Sequence, residues 1–406
     1  MKSWKSNYTA LLIAQTLAIM GFSLSIPILP LFLAEDIGIQ DPVSLKAWAG
    51  IIQSSTAVTM AIFAPIWGRL ADTYSRRAML LRAMFGSAIV VALMAFATSP
   101  WQLLVLRIIQ GCITGTVAAA IVLTAGITPV THIAFALGLL HTAVAVGNSL
   151  GPLVGGIIAD MFGFRPAFFC TGLVLVLAGV IILKWVDKDV QLKADGSAKK
   201  ISLIPDIKPI ISSPLLITLM LVTFGVQAAN AAILPMLPLF VQRLLLETTG
   251  EATFIASYTG IVIGVGAAFT AIAAVIAGKV SARVGYWKTL IFCLSAGAFM
   301  TIPQIFATSM LQLTILRALS SFFIGGTIPV VNAIIAVSSD KEKQGTIYGF
   351  NSSMTFVGAA LGPMIGSAAA MVNYRGMFFV SAAFLIVIAL ETIRRHEKLQ
   401  KGEKGG

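Results

Sequence analysis

Long apolar runs separated by short polar or charged segments make up most of this chain. Successive alternating segments joined by short polar turns, the pattern of half-buried strands, are absent. A helix that crosses a bilayer needs about 20 mainly apolar residues. The pattern predicts twelve such helices, at roughly 8–33, 47–67, 78–98, 101–126, 133–159 and 166–186, then 214–240, 253–277, 289–308, 310–337, 346–371 and 374–393. Strand pattern and tight polar turns are both missing, which excludes an outer-membrane barrel.

Composition agrees. Of 406 residues, 58% are hydrophobic and 11% charged, against about 25% charged in a soluble domain. A disordered chain, a disulfide scaffold and an ordinary soluble enzyme are excluded, leaving an all-α integral membrane protein. The net charge of +12 is scattered between apolar runs, so no basic face for nucleic acid is expected. Cys112, Cys170 and Cys293 lie inside apolar runs, odd in number, and read as packing residues. The first apolar run is too long for a signal-peptide core, no small-residue cleavage site follows it, and it is expected to be retained.

The basic residues also set an orientation. The termini and the even-numbered loops, with Arg82 and Lys184, carry 22 of the 28 lysines and arginines; the opposite loops carry only Lys46, Arg165, Arg243 and Arg375. By the positive-inside rule both termini and the long 187–213 segment face the cytoplasm.

Comparison of the chain with itself shows a duplication. "WQLLVLR" ending at Arg107 matches "LQLTILR" ending at Arg317, and "GRLADTYSRR" from Gly68 matches "GKVSARVGYWK" from Gly278. "LGPLVGG" around Gly151 matches "LGPMIGS" around Gly362, and "PILPLF" from Pro27 matches "PMLPLF" from Pro235. Order and spacing are both kept, at offsets of about 210. Two like-facing six-helix units follow, at 1–186 and 214–393, joined by a 187–213 cytoplasmic linker and ending in a 394–406 cytoplasmic tail. That is the parallel-repeat layout of the major facilitator transporters.

Several motifs carry chemistry. Gly68, Arg69, Asp72, Arg76 and Arg77 join the second and third spans on the cytoplasmic side, where a carboxylate can face a helix N-terminus and arginines can pair with acids. They resemble motif A of the major facilitator superfamily, with Thr73 and Ser75 departing from it; the resemblance implies docking near Gly345 and Thr346. Asp72 corresponds to Ala282 in the second copy, so this gate is expected to be asymmetric. Arg107 lies about six residues, or ~9 Å, inside the fourth span, where a charge costs on the order of 2.5–3.5 kcal/mol. Together with Gln110, Gly111 and Gly115 it resembles motif B, which implies a part in proton coupling; an arginine snorkelling to the outer interface is the bland alternative. Arg317 repeats the position among different neighbours, with structural and functional readings equal.

Gly147, Gly151, Pro152, Gly155 and Gly156 bring small residues and a helix-kinking proline into the fifth span, allowing backbones to touch. They resemble motif C of the exporters in this superfamily, although a plain packing motif would use the same residues. Pro27 and Pro30, with Gly21 before them, resemble the drug-exporter motif of the first span. The resemblance extends over nearly the whole chain to the twelve-span drug:proton antiporter group. It implies export of amphipathic small molecules in exchange for protons across the inner membrane. A metabolite, siderophore or lipid exporter is the first alternative, and a non-transporting sensor the second.

None of the 16 acids falls at mid-span. Coupling then falls to Arg107 with Glu35 or Asp36, or to His141, whose reference pKa is about 6.5. Met20, Phe22, Gln53, Gln110, Gln227, Asn230, Phe323, Asn332, Asn351 and Met354 are the substrate-binding candidates, since soft apolar groups and amides suit varied ligands. No ATP, dinucleotide or zinc motif is present, so no enzyme activity, metal or cofactor is expected. The partners expected are a small-molecule substrate, protons and lipid, for a chain working as a monomer.

Overall fold

The computed structural model describes residues 4–73, 75–129, 132–187, 213–339 and 344–403. The described residues are helical with short connections, and no strand occurs among them. In chain order the helices are α1 (Trp4–Leu24), α2 (Leu29–Glu35), α3 (Pro42–Thr73), α4 (Arg76–Met94), α5 (Pro100–Ile113), α6 (Thr116–Ile127), α7 (Ile133–Phe162) and α8 (Phe164–Trp185). They continue with α9 (Pro214–Ile233), α10 (Leu237–Thr249), α11 (Ile255–Val284), α12 (Tyr286–Thr301), a 3-10 turn (Ile302–Phe306), α13 (Met310–Gly325), α14 (Thr327–Ser338), α15 (Gln344–Val372) and α16 (Gly376–Glu403). Ten helical stretches among the described residues are long and apolar enough to cross a membrane, so the chain is a multi-pass membrane protein.

Local chemistry explains the boundaries. Ser99 and Ser309 cap α5 and α13 by accepting the N–H groups of Gln102 and Gln312 at 3.3 and 3.2 Å. Each glutamine reaches back past the cap to accept the N–H of Thr98 or Thr308, at 2.8 and 3.0 Å, so the two helices start in the same way.

Several runs read from sequence as single helices are broken. Residues 25–28 form turns between α1 and α2, where Pro27 cannot donate to the helix ladder. Residues 234–236 separate α9 from α10 in the same way, around Pro235. Gly115, with φ +152°, separates α5 from α6, a conformation that needs glycine. The expected tail is also different in form: α16 continues through Glu403 rather than stopping near 393.

The described residues divide into two compact units, one holding 4–187 with 237–264 and the other 213–236 with 265–403. In the first, Phe32 and Phe168 are fully buried and meet edge to face at 5.1 Å. α4 is tied to the end of α8 by Arg77, which donates to the carbonyls of Leu183 (2.5 Å) and Ile182 (3.4 Å). In the second, leucines and isoleucines of α9, α12, α14 and α16 form a continuous core with Met354 packed against it.

Candidate functional site: a close-packed face on α7 and a buried arginine on α5

Four glycines and a proline on α7 face two neighbours. On one side a Cβ at Gly147 would lie 2.8 Å from the Thr16 carbonyl oxygen, and one at Gly151 would lie 2.6 Å from that of Met20; one at Gly155 would strike Leu24. α7 therefore touches α1 backbone to backbone over two helical turns. On the other side Gly156 abuts the backbone of Ala256, and Gly260 abuts that of Pro152. Ser149 Oγ donates to the Gly264 carbonyl at 2.8 Å. A second polar contact on the α1 side is Ser23 Oγ donating to Asn148 Oδ1 at 2.7 Å.

At the end of α7, Asp160 accepts the backbone N–H of Ala256 (3.2 Å) and of Ser257 (2.7 Å). These are second and third residues of α11, the donors an N-cap side chain normally serves. Phe254 precedes the helix with φ +55° and has no acceptor to offer, so a carboxylate on another helix does the capping. Glu35 and Asp36 share with Asp160 a cavity of about 310 Å³, lined also by Leu31, Phe164 and Phe254. Asp36 pairs with Arg165 at 3.2 Å, and Arg165 donates to the Ala95 carbonyl at 2.8 Å.

Arg107 is 6% exposed on α5. Its Nη1 donates to Gln110 Oε1 at 3.2 Å, its Nη2 to Ser25 Oγ at 3.4 Å, and its Nε is sealed without an acceptor. Ser25 sits in the break between α1 and α2, so the proline turn supplies one of the two neutral acceptors of this cation. Of the coupling candidates, Arg107 bonds to Gln110, a substrate-binding candidate, rather than to Glu35 or Asp36. The structure places Glu35 and Asp36 in the acidic cavity, and His141 on an exposed face of α7.

Asn351 and Asn332 bind each other, Asn351 Nδ2 donating to Asn332 Oδ1 at 3.3 Å. Asn351 also accepts from Thr223 at 2.7 Å, which ties α9, α14 and α15 together. Phe323 stacks edge to face on Phe292 at 5.7 Å. Gln227 borders the Gly358 contact. Met20 lends its backbone to the α1–α7 contact and Phe22 accepts from Ser25 through its carbonyl. Gln53 and Asn230 are half-buried on α3 and α9. The side chains of Gly68, Arg69 and Asp72, and those around Gly345 and Thr346, lie outside the described residues. Arg76 closely approaches Gly126.

The sequence reading missed Asp160 as a cap, because its target is 97 positions away. It also missed a pair at the α5–α6 break. Trp67 Nε1 donates to the Cys112 carbonyl at 2.5 Å, while Arg82 lies over the Trp67 ring at 3.3 Å and donates to the Ile113 carbonyl at 3.1 Å.

Comparison with known proteins agrees with this architecture. The Major Facilitator Superfamily profile matches residues 11–308 and 245–406. The chain is 35% identical over 382 residues to the multidrug resistance protein MdtG of Proteus mirabilis, covering 94% of this chain and 93% of that one. It is 34% identical over 403 residues to MdtG of Escherichia fergusonii, covering 98% and 97%. Among solved structures, a bacterial homolog of the human lysosomal transporter Spinster superposes with TM-score 0.80 at 14% identity, covering 98% of each chain. The nucleoside transporter NupG gives TM-score 0.76 at 14% identity, covering 95% of this chain and 98% of that one. The chain belongs to the major facilitator superfamily and is a transporter rather than an enzyme.

Proposed function

We propose that this protein exports drug-like amphipathic small molecules across the inner membrane by alternating access, in exchange for protons. The observation that carries the reading is the Gly–Pro face of α7. It lies backbone to backbone on α1 and on the first turns of α11, and Asp160 caps α11 beside it. A contact with no side chains between the backbones excludes water and solute, and it separates as a unit. The multidrug resistance naming of relatives at about one-third identity supports drug-like cargo.

In this reading α3 and the α5–α6 pair cross the bilayer along with the ten apolar stretches, giving twelve spans in two six-helix copies with both termini cytoplasmic. The matching caps of α5 and α13 support the duplication, as does a second glycine face, Gly358, Gly362 and Gly366 of α15 against α9. Substrate binding falls to the half-buried polar and soft residues named above. Proton coupling is assigned to the neighbourhood of Arg107 and Gln110, where a buried cation has only neutral acceptors and its interactions change strongly with any nearby protonation.

Reconstituted protein in proteoliposomes tests this. An imposed pH gradient is expected to drive substrate movement from a broad drug panel, abolished by Arg107→Ala and retained by His141→Ala. A panel that shows no gradient-driven movement would overturn the reading.

A further inference from the structure

Arg317 occupies α13 at the position Arg107 holds on α5, seven residues or ~11 Å beyond the helix start at Met310. It is 7% exposed. Among the described residues it makes no hydrogen bond and no ion pair. Its nitrogens are not among the sealed unpartnered atoms that include Arg107 Nε, so the guanidinium keeps a small exposed surface.

The acceptors that hold Arg107 have no counterparts here. At the duplication offset Gln110 becomes Ser320, whose hydroxyl is bound to Thr301 at 2.7 Å, and Ser25 becomes the fully buried Ile233. Next to it, the Ser321 carbonyl accepts from Thr270 at 3.2 Å. Gly266 brings α11 close, its Cβ position 3.6 Å from Arg317 Cγ. In the same unit the acid nearest a span end, Glu391, pairs with Arg395 at 2.7 Å. A cation kept out of bulk water without a counter-charge is costly, and it attracts any anion that can reach it.

We propose that Arg317 anchors an anionic group of the transported compound: a carboxylate, sulfonate or phosphonate carried on an otherwise amphipathic molecule. The planar guanidinium fork suits such groups because it can donate two parallel hydrogen bonds to their oxygens. This inference deepens the exporter reading and rests on it. It narrows the cargo from amphipathic molecules in general to those with a negative group.

Two dyes sharing a xanthene core test it: the anion 6-carboxyfluorescein and the cation rhodamine 6G. Each is assayed in proteoliposomes under a pH gradient against protein-free vesicles. Wild-type protein is expected to move the anion. Arg317→Gln should slow that movement about tenfold or more, with Arg317→Lys retaining part of it. Arg317→Gln should leave the melting temperature unchanged or raised, because it orphans no partner.

Movement of rhodamine 6G without carboxyfluorescein would overturn the inference and leave the exporter reading standing. Movement of neither dye would count against both. Unaltered carboxyfluorescein transport by Arg317→Gln would also overturn it. So would a clear loss of thermal stability in that variant, which would reveal an internal counter-charge.

Discussion

Asp160 Oδ2 accepts the backbone N–H of Ser257 at 2.7 Å, joining the end of α7 to the first turn of α11. Charge and geometry both favour it, since a helix N-terminus presents unpaired donors and a partial positive charge. Asp160→Ala removes an N-cap and is expected to cost about 1 kcal/mol, with Asp160→Asn costing less because an acceptor remains. Thermal unfolding of the purified variants checks the order; equal stability of Asp160→Ala and wild type would show that the cap contributes nothing.

The glycine face of α7 should be intolerant at defined positions. A Cβ at Gly151 would lie 2.6 Å from the Met20 oxygen, whereas one at Gly138 on the same helix meets nothing within 4 Å. Gly151→Leu is therefore expected to abolish transport at normal membrane abundance, while Gly138→Ala stays at wild-type activity. Overpacking of this kind costs on the order of 1–3 kcal/mol. Gly362→Leu, facing α9 at 2.6 Å from the Ala228 oxygen, should behave like Gly151→Leu.

Trp67 and Arg82 satisfy consecutive carbonyls, those of Cys112 and Ile113, where α5 gives way to α6. Trp67→Phe keeps the ring beneath Arg82 and removes only the donor. A carbonyl left without its partner costs up to about 1–3 kcal/mol when fully buried, and the Cys112 carbonyl is part-buried, so Trp67→Phe should lower the midpoint of thermal unfolding by a smaller, measurable amount. Arg82→Gln, which also loses the stacked cation, should lower it further.

Asp41 precedes α3 and accepts from Ser44 through both N–H (2.9 Å) and Oγ–H (2.6 Å). The Ser44 side-chain bond, then the backbone bonds from Ser44 and Val43, hold its carboxyl below the usual range. A carboxyl lowered in the folded state adds stability that is fully present above its unfolded pKa and disappears as pH falls through the lowered value. Unfolding measured from pH 6 to pH 3 should show a shallower acid limb for Asp41→Asn than for wild type.

That the chain is helical and crosses a membrane many times is legible in its apolar run lengths, because a bilayer imposes its thickness on the sequence; where those lengths predict twelve spans, ten stretches among the described residues are long and apolar enough to cross. The α1–α2 break was half legible, since Pro27 and Pro30 announced a disruption without fixing where the ladder stops. The α5–α6 break has no proline; Gly115 is one glycine among many, and only its φ of +152° identifies it. Gly147, Gly151 and Gly155 were legible as a packing stripe because helical spacing puts them on one face. Their partners on α1 required the fold. Asn332 and Asn351 are bonded to each other, a pairing across separate helices that no local pattern encodes. The same limit hid Asp160, whose role depends entirely on where residue 257 lies.

In the proposed cycle the α7–α11 contact opens each time substrate crosses. Cysteines at 160 and 257, in a chain with Cys112, Cys170 and Cys293 replaced by alanine, allow that contact to be locked by oxidation and released by reduction. Transport by the oxidised protein should stop and return on reduction in the same vesicles. Undiminished transport with the bridge fully formed would show that this contact stays closed throughout the cycle.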